Sequence, residues 1–299
     1  MVAVAMRPFE GVYTPLLTFF DARGEVNMEA QIRHVTNLVK AGVDGVVPMA
    51  SMGEFTAMDR KERAMVAEAI VEEVSGRAQV VVGTGAPSTR QAIDLSRDAE
   101  GAGADAVMVI HPFYIRPDGI GIRRHYEAIR GAVDIPVMAY NLPFFTGVDV
   151  PADLILDLAR DGTIDGLKDS SGDLAKALHI ISELPDTVSF LTGQDPLLAA
   201  VVMHGGQGGV VGSSNIFPKK TVELYDLARQ GRTEEATKLQ LDLARFSRAL
   251  KVGTYPAAAK YLLERVWGTE AHSRPPVRPL TEEERQQVDE IVAPLLEEA

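Results

Sequence analysis

The chain has 299 residues, 46% of them hydrophobic and 24% charged, with a formal net charge of −12 and a pI near 5.0. This composition supports a large buried core and excludes disordered and fibrous classes, while the negative field disfavours nucleic acid or an anionic membrane as the main partner. With no cysteine present, disulfides, thiolate metal sites and cysteine nucleophiles are excluded as well.

In chain order, the opening "MVAVAMRPFEG" has no basic segment and its apolar run is too short for a signal peptide or a membrane span, so a cytoplasmic location is expected. Short runs rich in Val and Ile then recur. They are "GVYTPLLTF" from Gly11, "VDGVVPMAS" from Val43, "QVVVGTGA" from Gln79, "ADAVMVIHP" from Ala104, "IPVMAYNLP" from Ile135, "TIDGLKDS" from Thr163, "VSFLTGQ" from Val188 and "GGVVGSS" from Gly208. Neighbouring runs enclose segments such as "MEAQIRHVTNLVKAG" and "ADLILDLARDG", whose apolar residues three and four apart read as helices. Ser88 with Gln91 and Asp59 with Glu62 have capping-box spacing, and Gly42, Gly162 and Gly231 stand where helices stop.

The strands recur at about 25 to 35 residues, the size of a βα unit. Eight such units most simply close into a parallel barrel, with a doubly wound sheet as the alternative. Beyond the eighth run the text is helical. "TEEATKLQLDLARFSRAL" and "PAAAKYLLERVWG" read as helices, and Thr281 with Glu284 marks another capping box. The expected fold is α/β: a (β/α)8 TIM barrel over residues 1–230, with a C-terminal helical extension, 231–299, packed on it.

Reacting groups of a parallel barrel stand at the C-terminal ends of its strands. Here these are Thr14, Ser51 with Glu54, Thr84, His111 with Tyr114, Tyr140 with Asn141, Lys168 with Asp169, Gln194 with Asp195, and Ser213 with Ser214. Lys168 in "TIDGLKDSSGD" stands apart, because lysine is rarely buried without a partner. Strand alternation sends its neighbour Asp169 to the opposite face, toward the helices if Lys168 faces the barrel axis. A dry interior disfavours the charged form of an amine, and a free amine condenses with a ketone or aldehyde to a Schiff base. The alternative is a lysine whose stem packs in the strand while its head reaches a carboxylate at the rim. The residues alone leave both open.

Tyr140, one strand away, is either a proton relay or a core tyrosine with a satisfied hydroxyl. Ser51, in "ASMGEF", either passes a proton to Tyr140 or only serves a tight turn. The histidines at 34, 111, 125, 179, 204 and 272 have no metal-site spacing, and no metal is expected. "GTGAPS" and "GGQGG" lack the pattern of a phosphate loop, and "GSSN" is not a nucleophile elbow.

Together "ASMGEF", "HPFYIRP", "YNLPFFTG", "GLKDSSGD" and "LTGQD" resemble, in order and spacing, the dihydrodipicolinate synthase and N-acetylneuraminate lyase family of class I pyruvate-dependent aldolases. The resemblance covers nearly the whole chain. It implies a (β/α)8 barrel with a helical extension, assembled as a homotetramer built from a pair of dimers. It makes Lys168 the Schiff-base lysine that attacks the keto group of pyruvate or another 2-oxo acid, with the covalent imine in place of any cofactor. It makes Tyr140 the proton relay and Ser51 the hydroxyl linking it to a second tyrosine, Tyr114, supplied across a dimer interface. Ser51 and Met52 then hold the pyruvate carboxylate through backbone N–H groups, and Gly193 and Val210 line the pocket with backbone.

Two features depart from the synthase pattern. Ser51 and Met52 replace Thr-Thr, and Phe145 stands where the synthases have an arginine. An arginine fork grips a carboxylate by two hydrogen bonds and phenylalanine cannot. With Phe144, Phe145 and Met52 the aldehyde side is expected to be apolar. "S-x-G-E-F", "K-D-S-x-G-D" and "T-G-V-D-V-P" look closer to the 4-hydroxy-2-oxoglutarate and 2-keto-3-deoxy sugar acid aldolase branches. The expected function is a Schiff-base lyase that cleaves or forms a carbon–carbon bond of a 2-oxo acid, with pyruvate and an aldehyde as its small-molecule partners. The alternatives are dihydrodipicolinate synthase itself, a keto-deoxy sugar acid dehydratase, or a non-catalytic 2-oxo acid binding protein.

Overall fold

The computed structural model describes residues 7–296. The opening residues 1–6, on which the reading of "MVAVAMRPFEG" partly rests, lie outside them. The strands are β1 (Gly11–Pro15), β2 (Gly45–Val47), β3 (Gln79–Gly83), β4 (Ala106–Ile110), β5 (Val137–Asn141), β6 (Gly166–Asp169), β7 (Ser189–Thr192) and β8 (Gly208–Val210). All neighbours pair in parallel, and β1 also pairs with β8, so the sheet is a closed barrel and not the open alternative.

The helices between and after the strands are α1 (Met28–Lys40), α2 (Arg60–Val74), α3 (Thr89–Gly101), α4 (Gly119–Arg130), the single turn α5 (Pro143–Thr146), α6 (Ala152–Arg160), α7 (Leu174–Glu183), α8 (Leu198–Met203) and α9 (Pro218–Arg229). Three more follow, α10 (Thr233–Ala249), α11 (Ala257–Trp267) and α12 (Glu282–Leu296). Asp59 and Glu62 form the full capping box of α2, and Thr281 and Glu284 bond each other's backbone in the same way ahead of α12. Gly42, Gly162 and Gly231 follow α1, α6 and α9 with positive φ, the conformation that ends a helix without crowding a Cβ. No helix among the described residues is long and apolar enough to cross a membrane.

Alternation along the strands produces two cores. In β4, Val107 and Val109 face the helices while Ala106, Met108 and Ile110 fill the barrel, and in β5 Ala139 points out while Met138 and Tyr140 point in. Phe9 and Tyr13 plug the N-terminal end of the barrel, their rings 6.3 Å apart and edge-on. At that end the aspartates that precede β2, β4 and β6 each accept a backbone N–H from the strand before. Asp44 bonds Val12, Asp105 bonds Val80 and Asp165 bonds Val137, at 2.7, 2.7 and 2.8 Å. The acidic groups of "VDG", "ADA" and "IDG" therefore stitch the stable face, which leaves the C-terminal strand ends for chemistry.

Candidate active site

Lys168 and Tyr140 are direct partners in the β5–β6 register, and alternation aims both into the barrel, whereas Leu167 faces the helices. Lys168 is 3% exposed, and its Nζ lies 4.1 Å from the centroid of the Tyr140 ring. No carboxylate within the described residues forms an ion pair with it. Asp169 points the other way, where it accepts 2.7 Å from Asn141 Nδ2 and bonds the Ser171 hydroxyl at 2.6 Å. Asn141 also donates to Asp149 and accepts from Val150 N, so this outward pair pins the loop after β5.

Beside Lys168 the backbone of Gly193 makes room. A Cβ there would collide with Ser170 Oγ and lie 2.9 Å from Lys168 Cε. Ser170, two residues beyond Lys168 and therefore on the same face, is buried with its hydroxyl unpaired. An unpaired buried hydroxyl costs free energy unless something outside the chain satisfies it. Val210 faces the same interior from β8.

After β2 the chain turns tightly over Ser51–Gly53 and again over Phe55–Ala57. Ser51 and Met52 open the first turn, so their N–H groups have no carbonyl within it to bond. Ser51 shares a small void with Tyr140 and Ile110, and it also lines a larger cavity of about 340 Å³ at the mouth. Ile110 lines that cavity too and pairs with Tyr140, which sets the mouth directly above the layer of Tyr140 and Lys168. Three of the four non-glycine residues with positive φ among the described residues, Met49, Glu54 and Tyr114, lie just beyond β2 and β4, so backbone strain gathers at this end.

The Met52 side chain does not face the aldehyde side, which corrects that expectation. Its sulfur meets Asn215 Nδ2 at 3.4 Å and it is buried in the layer between barrel and helices, because the turn rotates it away from the mouth. Phe145 does line the cavity, half exposed, with Phe144 beside it at 5.1 Å. Tyr114 is 91% exposed and outside the cavity lining.

Several polar strand ends are tied up in structure. Asp195 accepts from Gly212 N and Ser213 N, Ser214 bonds Val211 O, Thr84 accepts from Ser96, and His111 Nδ1 bonds Pro112 O. Glu54 is bound by Lys260 of α11 and by Arg274 N. Burial of Lys260 lowers its pKa to about 8 against the pull of Glu54. Sequence reasoning had no hold on Lys260, which reads as an ordinary helix lysine in "PAAAKYLLERVWG". It also passed over Tyr255, whose ring reaches the cavity from the segment before α11. Among the described residues no group of three or more His, Asp or Glu is placed to hold a metal ion.

The model of the dihydrodipicolinate synthetase family matches residues 8–295. The 4-hydroxy-tetrahydrodipicolinate synthase of Methanopyrus kandleri is 35% identical over 280 residues, 93% of each chain. An uncharacterized DapA-like lyase of Halobacterium salinarum is 35% identical over 285 residues, covering 95% of this chain and 93% of that one. Among solved structures, the prophage protein YagE of E. coli K12 in complex with pyruvate superposes with a TM-score of 0.92 at 30% identity, over 96% of this chain and 98% of that one. The leaning toward the keto-deoxy sugar acid branch draws no support from these names.

Proposed function

We propose, given that the chain belongs to the dihydrodipicolinate synthetase family and is a pyruvate-dependent class I lyase, that Lys168 is the amine on which its imine forms. The observation that carries this is a buried, inward, unpaired lysine against a tyrosine ring. The amine attacks C2 of pyruvate and water leaves, which gives the imine. Loss of a proton from C3 yields an enamine, whose carbon attacks an aldehyde, and returning water releases the joined 2-oxo acid; cleavage is the same path reversed. Tyr140 takes and returns the protons, and Ser51 links it to the mouth. The N–H groups of Ser51 and Met52 hold the carboxylate, and the unpaired hydroxyl of Ser170 bonds the substrate carried on Lys168. The backbone of Gly193 and Val210 lines the pocket.

Two finer readings divide the support. The names of the relatives favour dihydrodipicolinate synthase, while Phe145 favours a lyase of other 2-oxo acids, because it offers no fork for a carboxylate. The protein works in the cytoplasm as a homotetramer in which exposed Tyr114 serves a neighbour's site. Reduction with borohydride in the presence of pyruvate should leave an adduct on the peptide carrying Lys168, and an adduct elsewhere or none at all sinks the reading. Parallel assays of aspartate semialdehyde condensation and of pyruvate release from 4-hydroxy-2-oxoglutarate and keto-deoxy sugar acids separate the finer readings. Pyruvate binding without turnover on any of them identifies a binding protein.

A further inference from the structure

One aromatic side chain at the mouth comes from the C-terminal helical extension and not from a loop that follows a barrel strand. Tyr255 lies between α10 and α11, and its ring lines the cavity with Ser51, Ile110, Phe113 and Phe145. It stands 5.4 Å from Phe145, tilted by 54°, so the two rings form one wall. Its hydroxyl has no hydrogen-bond partner among the described residues. Burial, with Tyr140 and Asp195 nearby, holds that phenol well above its ordinary range, so it stays protonated and able to donate.

The charged residues in the same lining are already engaged. Arg274 donates to Glu62, to Gly24 O and to Ala57 O, and Glu54 is held by Lys260 and Arg274 N. What remains free to meet a ligand is apolar wall and neutral hydroxyl, from Ser51, Thr56 and Tyr255. A carboxylate entering this cavity would lose hydration and gain no cation, whereas a neutral oxygen gains a donor.

Resting on the imine reading above, we infer that Tyr255 is a specificity-determining residue that touches the second substrate. Its hydroxyl donates to a hydroxyl group of an uncharged hydroxyaldehyde. Tyr255→Phe removes the hydroxyl alone and leaves the ring on Phe145, so the wall survives. The test compares kcat/KM for pyruvate with glyceraldehyde, with propanal, which keeps the three-carbon frame without hydroxyls, and with aspartate semialdehyde. Expected is a loss of about tenfold for glyceraldehyde in Tyr255→Phe, with propanal unchanged and the borohydride adduct on Lys168 undiminished.

An equal loss for glyceraldehyde and propanal means a merely structural role and overturns the inference. So does no loss for either, failure of the unaltered protein to use glyceraldehyde, or its preference for aspartate semialdehyde. Absence of the pyruvate adduct in the unaltered protein overturns the imine reading itself and this inference with it. With the adduct present, any adverse result above falls on Tyr255 alone.

Discussion

Two lysines of this chain, Lys168 in β6 and Lys260 in α11, are buried to the same 3% exposure, yet their surroundings are opposites. Lys260 is neutralised by Glu54, donates to His272 O and sits 4.6 Å from the Phe20 ring. Lys168 meets a tyrosine ring, a glycine and an unpaired hydroxyl. Burial lowers the pKa of Lys260 to about 8, and even so it is not placed as a nucleophile, because it is locked to a carboxylate. Neither burial nor a depressed pKa marks a reactive lysine; the missing carboxylate partner of an amine aimed into the barrel does.

The largest effect that would break this contrast is on activity. Lys168→Ala should lower kcat by on the order of 10³-fold or more and abolish the borohydride adduct, with Tm unchanged or raised, since an unpaired buried amine is removed. Retained activity would make Lys168 a structural lysine like Lys260. The reciprocal change, Lys260→Met, leaves Glu54 buried without its counter-ion, held only by the Arg274 N–H. It should cost about 3–5 kcal/mol in urea unfolding while the folded protein still forms the adduct. A stable variant without the adduct would reverse the assignment of the two lysines.

Acid tests the packing around each region separately. His34 packs edge-on to Trp267 of α11, 5.9 Å away, and His125 lies on α4 against the barrel, bonded to Thr89. Burial pushes both imidazoles down to a pKa of about 4, below the usual histidine value of 6.5. The unfolded chain therefore takes up protons first as pH falls. Stability is fully present above the unfolded pKa of about 6.5 and is lost progressively toward pH 4, by roughly 3 kcal/mol for each histidine. Urea midpoints measured at pH 7 and pH 5 check this, and His34→Phe should remove the share that involves α11. The smallest expected effect sharpens the picture at Lys168 itself. Gly193→Ala places a methyl 2.9 Å from Lys168 Cε and against Ser170, so kcat should fall by about 10²-fold with little change in Tm. An unaltered kcat would show that the amine is not held there.

The barrel was legible because strands carry a period. Val and Ile runs, capping residues and terminal glycines repeat at the interval of a βα unit, and alternation separates Lys168 from Asp169 without knowledge of any neighbour. Turns have no such period. The rotation of Met52 into the helix layer depends on how the chain folds over Ser51–Gly53, and nothing local signals it.

Residue by residue, then, the strand text was enough to expect a closed barrel with an amine and a phenol at the ends of neighbouring strands, and packing settled that both face its interior. The pairing of Lys260 with Glu54 and the arrival of Tyr255 at the mouth join residues some 200 positions apart in sequence, brought together by the docking of α11 on the barrel's C-terminal end. Local periodicity directs a side chain to a face, but which charges and rings meet there is an energy between distant segments, and it exists only once they are packed.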